Sequence, residues 1–304
     1  MGDSAKLPDF LVIGAPKAGT TALYRALSRH PHIFCCPEKE PRFFAYAGTV
    51  PRFPGRVGAA NAAKIVTNEA DYTRLFAGCA PDRVAGEASS VYLASASAPQ
   101  VASRYVPRAR LVAILRHPVA RGYSQWLHLR QEGNEPLADF ETAWNAEDER
   151  TAAGCWPPYQ YRYRGFYGRH IERWLEFFPR EQLLVLLYED WLERPRETLS
   201  AVFKHLGLDP LPAPLVTREN RTSRQPRWPW LHHRMVEDNA LRRWAQRALP
   251  LPVRDAITGL VTGINLKAGP QLDPSLRARL AVVFHDDLRR VEELIQRDLG
   301  AWRT

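Results

Sequence analysis

The stretch from Asp9 to Arg29 (DFLVIGAPKAGTTALYRALSR) constrains the fold of this chain more than any other. It begins with four apolar residues, 10–13, of the kind that form a strand buried on both faces. Residues 14–19 form a glycine-bearing loop, and Thr20 and Thr21 then begin a segment with apolar residues at helical spacing. A strand, such a loop and a helix start can together bind a phosphate, because unpaired N–H groups of the first helical turn point at the anion.

We expect the anion to be bound by the Lys17 side chain and by the backbone amides of Ala18, Gly19, Thr20 and Thr21. The loop differs from the nucleotide-triphosphate P-loop, in which Gly-Lys-Ser/Thr closes the motif. Here the lysine precedes the second glycine, so it reaches the anion from inside the loop. The loop alone leaves an ordinary strand–turn–helix with a surface lysine open.

A second phosphate-binding pattern lies in residues 110–130 (RLVAILRHPVARGYSQWLHLR). Residues 111–115 form another apolar strand, and Arg116 follows at its carboxyl end, where ligands bind in doubly wound sheets. Ser124 lies about two helical turns further along, so its hydroxyl can face the same side. An arginine fork with a hydroxyl is a good receptor for a dianionic phosphate. A surface ion pair and an idle hydroxyl are the alternatives.

The order of the elements predicts the fold class. A third apolar strand covers residues 182–188 (QLLVLLY), and helical patterns separate the strands, including single helices over 137–149 and 273–299. Strands that alternate with helices predict an α/β fold. We expect one domain over residues 1–304, with a central parallel sheet flanked by helices and a P-loop-like anion-binding loop.

Composition narrows the function classes. The 304 residues are 45% hydrophobic and 25% charged, which suits one large domain with a full core. The net charge of +9 predicts an anionic partner, but the arginines are scattered rather than gathered into a basic arm, which disfavours nucleic acid. The four cysteines have no metal-ligand spacing. Without a leader-like segment or an apolar run of ~20 residues, we expect a cytoplasmic protein.

The loop Pro-Lys-Ala-Gly-Thr-Thr, residues 16–21, resembles the 5′-phosphosulfate loop of sulfotransferases that use 3′-phosphoadenosine-5′-phosphosulfate (PAPS). Within that superfamily the chain is most similar to bacterial members and to the heparan-sulfate branch, which includes the N-deacetylase/N-sulfotransferases. The resemblance implies that PAPS donates a sulfuryl group to a hydroxyl, or less readily an amine. The product PAP (3′-phosphoadenosine-5′-phosphate) remains and no metal ion is needed. It also implies that Arg116 and Ser124 hold the 3′-phosphate.

The resemblance implies a catalytic base as well. Heparan-sulfate-type sulfotransferases carry Glu-x-x-Phe-Phe at this distance from the loop, and its glutamate takes the acceptor's proton. Glu40 matches that position, and Lys17 would be the second catalytic residue. Arg42 and Phe44 of the same motif would contact the acceptor.

A further stretch, residues 86–93 (GEASSVYL), resembles a substrate-side strand end of the family and gives Glu87 and Ser89 as acceptor-binding candidates. Here Ala88 stands where glycan-sulfating relatives place a lysine, which weakens the case for a heparan-like acceptor.

Two segments supply the remaining nucleotide-binding candidates. Residues 154–167 are dense in aromatic residues and arginines. Such side chains can stack on a base or sugar, or they can simply hold the loop in place. In the family, this segment commonly contacts the adenine. Tyr167 is the candidate. Residues 220–233 form a basic, proline-broken loop, which in PAPS enzymes closes over the phosphates; a solvated basic loop is the alternative. Its candidates are Arg221, Ser223 and Arg224.

Two other functions compete with a bacterial sulfotransferase. One is a P-loop-type nucleotide phosphotransferase, and the other is a non-enzymatic basic module that binds anionic glycans or membranes. The acceptor stays open among small molecules such as a phenol or a polyketide hydroxyl, glycans and lipids. Trp228 and Trp230 lie next to charge, a pattern seen at the mouths of acceptor sites and in loops that contact a membrane surface. The sequence does not indicate an oligomeric state.

Overall fold

A five-stranded parallel sheet forms the centre of the computed structural model, which describes residues 6–210 and 270–303 and the backbone of residues 224–226 and 266–268. The strands are β1 (Phe10–Gly14), β2 (Ile33–Cys35), β3 (Val84–Ala88), β4 (Arg110–Leu115) and β5 (Leu183–Leu187). Their spatial order is β2-β3-β1-β4-β5, and every neighbouring pair is parallel. All residues of β1 are buried. The predicted α/β fold with a central parallel sheet is therefore confirmed.

Helices connect and cover the strands. In the described part of the chain they are α1 (Thr20–Leu27), α2 (Phe43–Tyr46), α3 (Gly55–Ala62), α4 (Glu69–Arg74), α5 (Ala98–Tyr105), α6 (Pro118–Gln131), α7 (Phe140–Asn145), α8 (Glu147–Ala152), α9 (Tyr167–Leu175), α10 (Tyr188–Glu193), α11 (Pro195–His205), α12 (Pro274–Ala281) and α13 (His285–Ile295). Two short strands, β6 (Arg224–Pro226) and β7 (Leu266–Ala268), form a separate antiparallel pair.

Two expected single helices are each divided. Residues 137–149 contain α7 and α8, and Asp139 begins α7 by accepting a hydrogen bond from the Thr142 amide at 2.7 Å. The C-terminal helix is broken by a 3₁₀ turn at Val282–Phe284. The turn places the Phe284 ring 4.9 Å from the Phe166 ring, so packing at this position takes precedence over helical continuity.

The sheet order brings the two predicted phosphate motifs together. β1 and β4 pair directly, with Leu11 opposite Leu111, so the loops that follow them leave the same edge of the sheet. The Ala15 amide donates to the Ile114 carbonyl at 2.7 Å and fixes the first loop to β4. Gly14 must be glycine, because a Cβ there would lie 2.7 Å from the Cβ of Leu93.

The C-terminal helices α12 and α13 pack against α6 and α9. α13 packs along α9, and the Asp287 carboxylate accepts hydrogen bonds from the amides of Gly168 and Arg169 at 2.8 and 3.0 Å. These contacts satisfy orphan donors at the start of α9. Across the described ranges, no helix combines the length and apolarity needed to cross a bilayer. The single domain over residues 1–304 stays a prediction, because residues 211–223 and 227–265 lie outside the described part.

Candidate active site

The loop between β1 and α1 presents backbone donors at its end. Lys17 and Gly19 both have positive φ, 65° and 97°, so the chain turns sharply before α1. Gly19 is the N-cap residue of α1 and makes no side-chain cap, which leaves first-turn amides at Thr20 and Thr21 available to a ligand. The local conformation is that of an anion-binding loop.

The Lys17 side chain lies largely buried beside these amides. Burial lowers the pKa of Lys17 to about 8, and nearby Arg116 lowers it further while Glu132 acts in the opposite direction. Burial makes the charged form of Lys17 energetically unfavourable. An anion bound at this loop would offset that desolvation cost by pairing with the ammonium.

Arg116 at the end of β4 touches the same loop. Its Nη1 donates a hydrogen bond to the Lys17 carbonyl at 3.1 Å, and its guanidinium lies 4.8 Å from the centre of the Tyr188 ring. Ser124, on α6, is 5% exposed, and its Oγ is buried without a hydrogen-bond partner among the described residues. A buried hydroxyl without a partner and a guanidinium each suit a phosphate oxygen. The two motifs therefore fit the two phosphate groups of a bisphosphorylated nucleoside.

A cavity of about 340 Å³, the central cavity, lies against the loop. Five of the predicted site residues line it, namely Lys17, Thr20, Thr21, Glu40 and Arg42. Its other walls include Lys39, Ser90, Gln125, His128, Glu132, Trp156 and Arg164. Cations and a few carboxylates thus face one space, which suits transfer of an anionic group.

Glu40 is held in one orientation within this cavity. Its carboxylate accepts hydrogen bonds from the amide and the hydroxyl of Ser90, at 3.0 and 2.8 Å. Lys39 Nζ donates to the same carboxylate at 3.1 Å, and Arg42 Nε lies 3.9 Å from it. The Glu40 backbone is left-handed, with φ of 64°, and its amide donates to the Ala88 carbonyl at 3.0 Å. The carboxylate therefore enters the cavity from a fixed backbone.

The structure corrects three acceptor-binding expectations. Phe44, Glu87 and Ser89 are each 0% exposed and lie behind the wall of the central cavity. Glu87 accepts hydrogen bonds from Tyr72 and Tyr92 and from the Ser89 hydroxyl, and burial raises its pKa to about 7. No part of these side chains is left for an acceptor, because packing and internal hydrogen bonds occupy them. Ser89 Oγ instead accepts a hydrogen bond from the Arg42 amide at 3.0 Å, which supports the backbone in the wall of the central cavity.

Tyr167 is corrected in the same way. It is 0% exposed, so its ring presents no face to a nucleotide. Its hydroxyl donates to the Arg116 carbonyl at 2.9 Å, which supports the arginine from behind. Arg221 and Ser223 lie outside the described residues, and of Arg224 only the backbone in β6 is described.

His128 and Arg164 are among the lining residues that the sequence analysis did not identify. His128 follows Ser124 by four residues on α6, and this helical spacing was a usable signal. Its Nε2 lies 3.3 Å from Glu132 Oε1, and burial, with a contribution from Lys17, lowers the pKa of the imidazole. Arg164 lies within the aromatic segment 154–167, where no periodicity distinguishes it from its neighbours.

A family model described as "Sulfotransferase family" matches residues 8–212, which covers β1 to β5 and both phosphate motifs. The chain belongs to the sulfotransferase family. The family is defined by sulfuryl transfer, and PAPS is the sulfuryl donor of the family. Membership favours this activity over a nucleotide phosphotransferase and over a non-enzymatic basic module.

Relatives of this sulfotransferase agree with that assignment. The chain is 28% identical over 219 residues to human bifunctional heparan sulfate N-deacetylase/N-sulfotransferase 2, and 32% identical over 211 residues to the mouse enzyme 4 of that name. The matches cover 67% of this chain but only 22% and 23% of those proteins. A crystal structure of a sulfotransferase from Alicyclobacillus acidocaldarius superposes with a TM-score of 0.75 and 29% identity, covering 98% of this chain and all of that one.

Metal ligation was considered separately. Within residues 6–210 and 270–303, no group of three or more His, Cys, Asp and Glu side chains is placed to hold a metal ion. The metal-free reaction expected from the sequence stays a prediction.

Proposed function

We propose that this sulfotransferase moves a sulfuryl group from PAPS to an acceptor hydroxyl in the central cavity, with Glu40 as the base. One observation carries the proposal. Lys17 lines the same cavity as the Glu40 carboxylate, and the Arg116 guanidinium donates to the carbonyl of Lys17, so the second phosphate motif contacts the loop that faces the cavity.

The donor would be held at two places. Lys17 and the amides of residues 18–21 take the 5′-phosphosulfate end, because the helix start and the ammonium both favour anions. Arg116 and Ser124 take the 3′-phosphate, and the unpartnered Ser124 hydroxyl supports this assignment. Arg221, Ser223 and Arg224 remain candidates for contacts to the same phosphates.

Glu40 would accept the proton of the acceptor hydroxyl as its oxygen bonds to sulfur. The bond between sulfur and the bridging oxygen of the donor breaks, and PAP leaves with that electron pair. Lys17 stabilises the charge that grows on the bridging oxygen. The fixed orientation from Ser90 supports Glu40 in this role. His128 is the second candidate base, since a lowered pKa keeps its imidazole neutral and it lines the same cavity.

The acceptor is proposed only as a class. A glycan is supported by the heparan sulfate named in the relatives' titles, and a small-molecule hydroxyl fits the same cavity. A lipid acceptor and a membrane contact through Trp228 and Trp230 stay predictions, since those tryptophans lie outside the described residues. The expected cytoplasmic location, the bacterial origin and the absence of a nucleic-acid partner also stay predictions.

The direct test combines calorimetry and labelled transfer. PAP should bind the wild-type protein, and sulfate from radiolabelled PAPS should reach at least one member of a panel of de-N-sulfated heparin, a glycolipid and a simple phenol. A protein that binds no PAP and instead hydrolyses ATP with magnesium would refute the assignment.

A further inference from the structure

Arg164 is a buried cation without a counter-ion in the described part of the chain. Only 5% of the residue is exposed, and its Nε is buried with no hydrogen-bond partner. By contrast, two other arginines of this region form ion pairs: Arg150 with Glu135 at 2.7 Å, and Arg162 with Asp148. A desolvated guanidinium is costly unless an anion compensates it.

The guanidinium remains charged at neutral pH. Burial is the main cause that lowers the pKa of Arg164 to about 10, and the adjacent Arg121 lowers it further. A pKa near 10 still leaves the group protonated under physiological conditions. Among the described residues Arg164 forms no ion pair, although the Glu40 carboxylate, which lines the same central cavity, acts to raise its pKa.

Arg164 lies between two cavities. It lines the central cavity, and it also lines a second cavity of about 460 Å³ that shares Val91 and Pro157 with the first. The rest of the second cavity is formed by Ala94, Ser95, Glu147, Asp148, Thr151, Gln160 and Tyr163. A ligand that fills both cavities would have to pass this guanidinium.

The predicted phosphate-binding residues do not line the second cavity. Neither loop residues 16–21 nor Arg116 nor Ser124 lines it. Its two carboxylates already have partners, since Glu147 accepts the Tyr163 amide at 2.7 Å and Asp148 pairs with Arg162. With no residue of the phosphosulfate loop in its wall, the second cavity is open to a group of the acceptor.

We propose that Arg164 binds an anionic group of the acceptor, a carboxylate or a sulfate, where the two cavities meet. Acceptors that carry such a group near the hydroxyl to be sulfated are then selected over neutral ones, because a guanidinium fork recognises these planar or tetrahedral oxyanions. The inference rests on the proposed function, since it assumes that the central cavity receives the sulfuryl donor.

Inorganic sulfate is the probe for this subsite. The PAP-loaded protein is titrated with sulfate, followed by calorimetry, for the wild type and for Arg164→Gln. We expect wild type to bind sulfate and Arg164→Gln to bind it at least about tenfold more weakly, since a charged hydrogen-bonding pair is lost. Arg162→Gln is the matched control and should stay within about twofold of wild type, because the Arg162 guanidinium pairs with Asp148.

A second titration separates the acceptor's anion from the transferred group. With PAPS in place of PAP the sulfuryl position is filled, and sulfate should still bind the wild-type protein. If PAPS abolishes sulfate binding, Arg164 serves the transferred sulfuryl group and the proposal is overturned. It is equally overturned if wild type binds no sulfate, or if the two glutamine variants bind it alike.

Folding and the proposed function are checked in the same measurements. Each variant is first titrated with PAP, and unchanged PAP affinity shows that the donor site is intact. If wild type itself binds no PAP, the proposed function fails rather than this subsite. If Arg164→Gln does not fold, Arg164→Met, which also removes the charge, replaces it. A loss of sulfate affinity with normal PAP binding then supports the subsite, and unchanged sulfate affinity overturns it.

Discussion

Arg116 donates a hydrogen bond from Nη1 to the carbonyl of Lys17 across 3.1 Å, although 99 residues separate them in sequence. The bond orients both the guanidinium and the loop, and it uses one of the five donors of the arginine. The remaining donors and the Ser124 hydroxyl are left for a phosphate, while the loop amides face a second one. A donor that carries two phosphate groups fits this pair of subsites.

Ser124→Ala should weaken PAP binding selectively. Loss of one hydrogen bond to a charged phosphate costs about 2 kcal/mol, which is about thirtyfold in Kd. The affinity for adenosine 5′-phosphosulfate, which lacks the 3′-phosphate, should stay unchanged. Calorimetry with both ligands measures the difference, and Ser103→Ala, an exposed hydroxyl on α5, is the control. A parallel loss for both ligands would remove Ser124 from the 3′-phosphate subsite.

PAP binding should weaken as the pH rises above 8. The pKa of Lys17 is lowered to about 8 by burial, so the ammonium loses its proton above that pH and the attraction for the phosphate is lost. Lys17→Arg should show a flat profile from pH 7 to 9.5, because a guanidinium stays protonated throughout. Calorimetry across this range tests the prediction. A wild-type profile that matches the arginine variant would contradict it.

Glu40→Gln should lower turnover without lowering nucleotide affinity. A general base contributes about 10²- to 10⁴-fold to rate, whereas the amide retains acceptor capacity toward Ser90. We expect kcat to fall at least about a hundredfold and the Kd for PAP to stay within about twofold. His128→Gln is assayed beside it. If kcat falls further in His128→Gln than in Glu40→Gln, or does not fall in Glu40→Gln, then Glu40 is not the base.

Glu87→Gln should change how stability depends on pH. Burial raises the pKa of Glu87 from its ordinary 4.5 to about 7, so the folded protein holds a proton that the unfolded chain releases in this range. Wild-type stability therefore falls as pH rises from 4.5 to 7, by up to ~1.4 kcal/mol per pH unit from this group.

The glutamine variant has no such proton to lose, and its amide oxygen can still accept from Tyr72 and Tyr92. Urea unfolding at pH 5, 6 and 7 gives the difference between the two slopes. Identical slopes in the variant and wild type would show that Glu87 does not titrate in this window.

Local patterns were enough to predict the framework of the site. Apolar runs identified β1, β4 and β5, and parallel pairing made the loops after β1 and β4 leave one edge of the sheet. Lys17, Arg116 and Ser124 follow from that geometry, since each is fixed by a strand end or by helical spacing. These are short-range signals that tertiary packing did not alter.

Side-chain direction was not predictable at the acceptor side. Arg42 and Glu40 both have positive φ, so the chain between β2 and α2 does not follow strand or helix periodicity. Phe44 consequently turns into the core, although it belongs to the same motif as Glu40. Phe44 was expected at the site and is buried in the core, whereas Arg164 was not expected there and lies in a cavity wall. Only the packing of segment 154–167 shows this buried charge.

The hydrogen bonds from the start of α9 to the Asp287 carboxylate bear on how far the chain can be shortened. The family-model match ends at residue 212, yet α9, which begins at Tyr167, is held at its start by Asp287, and the Tyr167 hydroxyl donates to the Arg116 carbonyl. A fragment trimmed to the matched region would uncover the buried face of α9 and loosen the arginine through its support. We therefore expect the last two helices to be needed for a rigid Arg116 site.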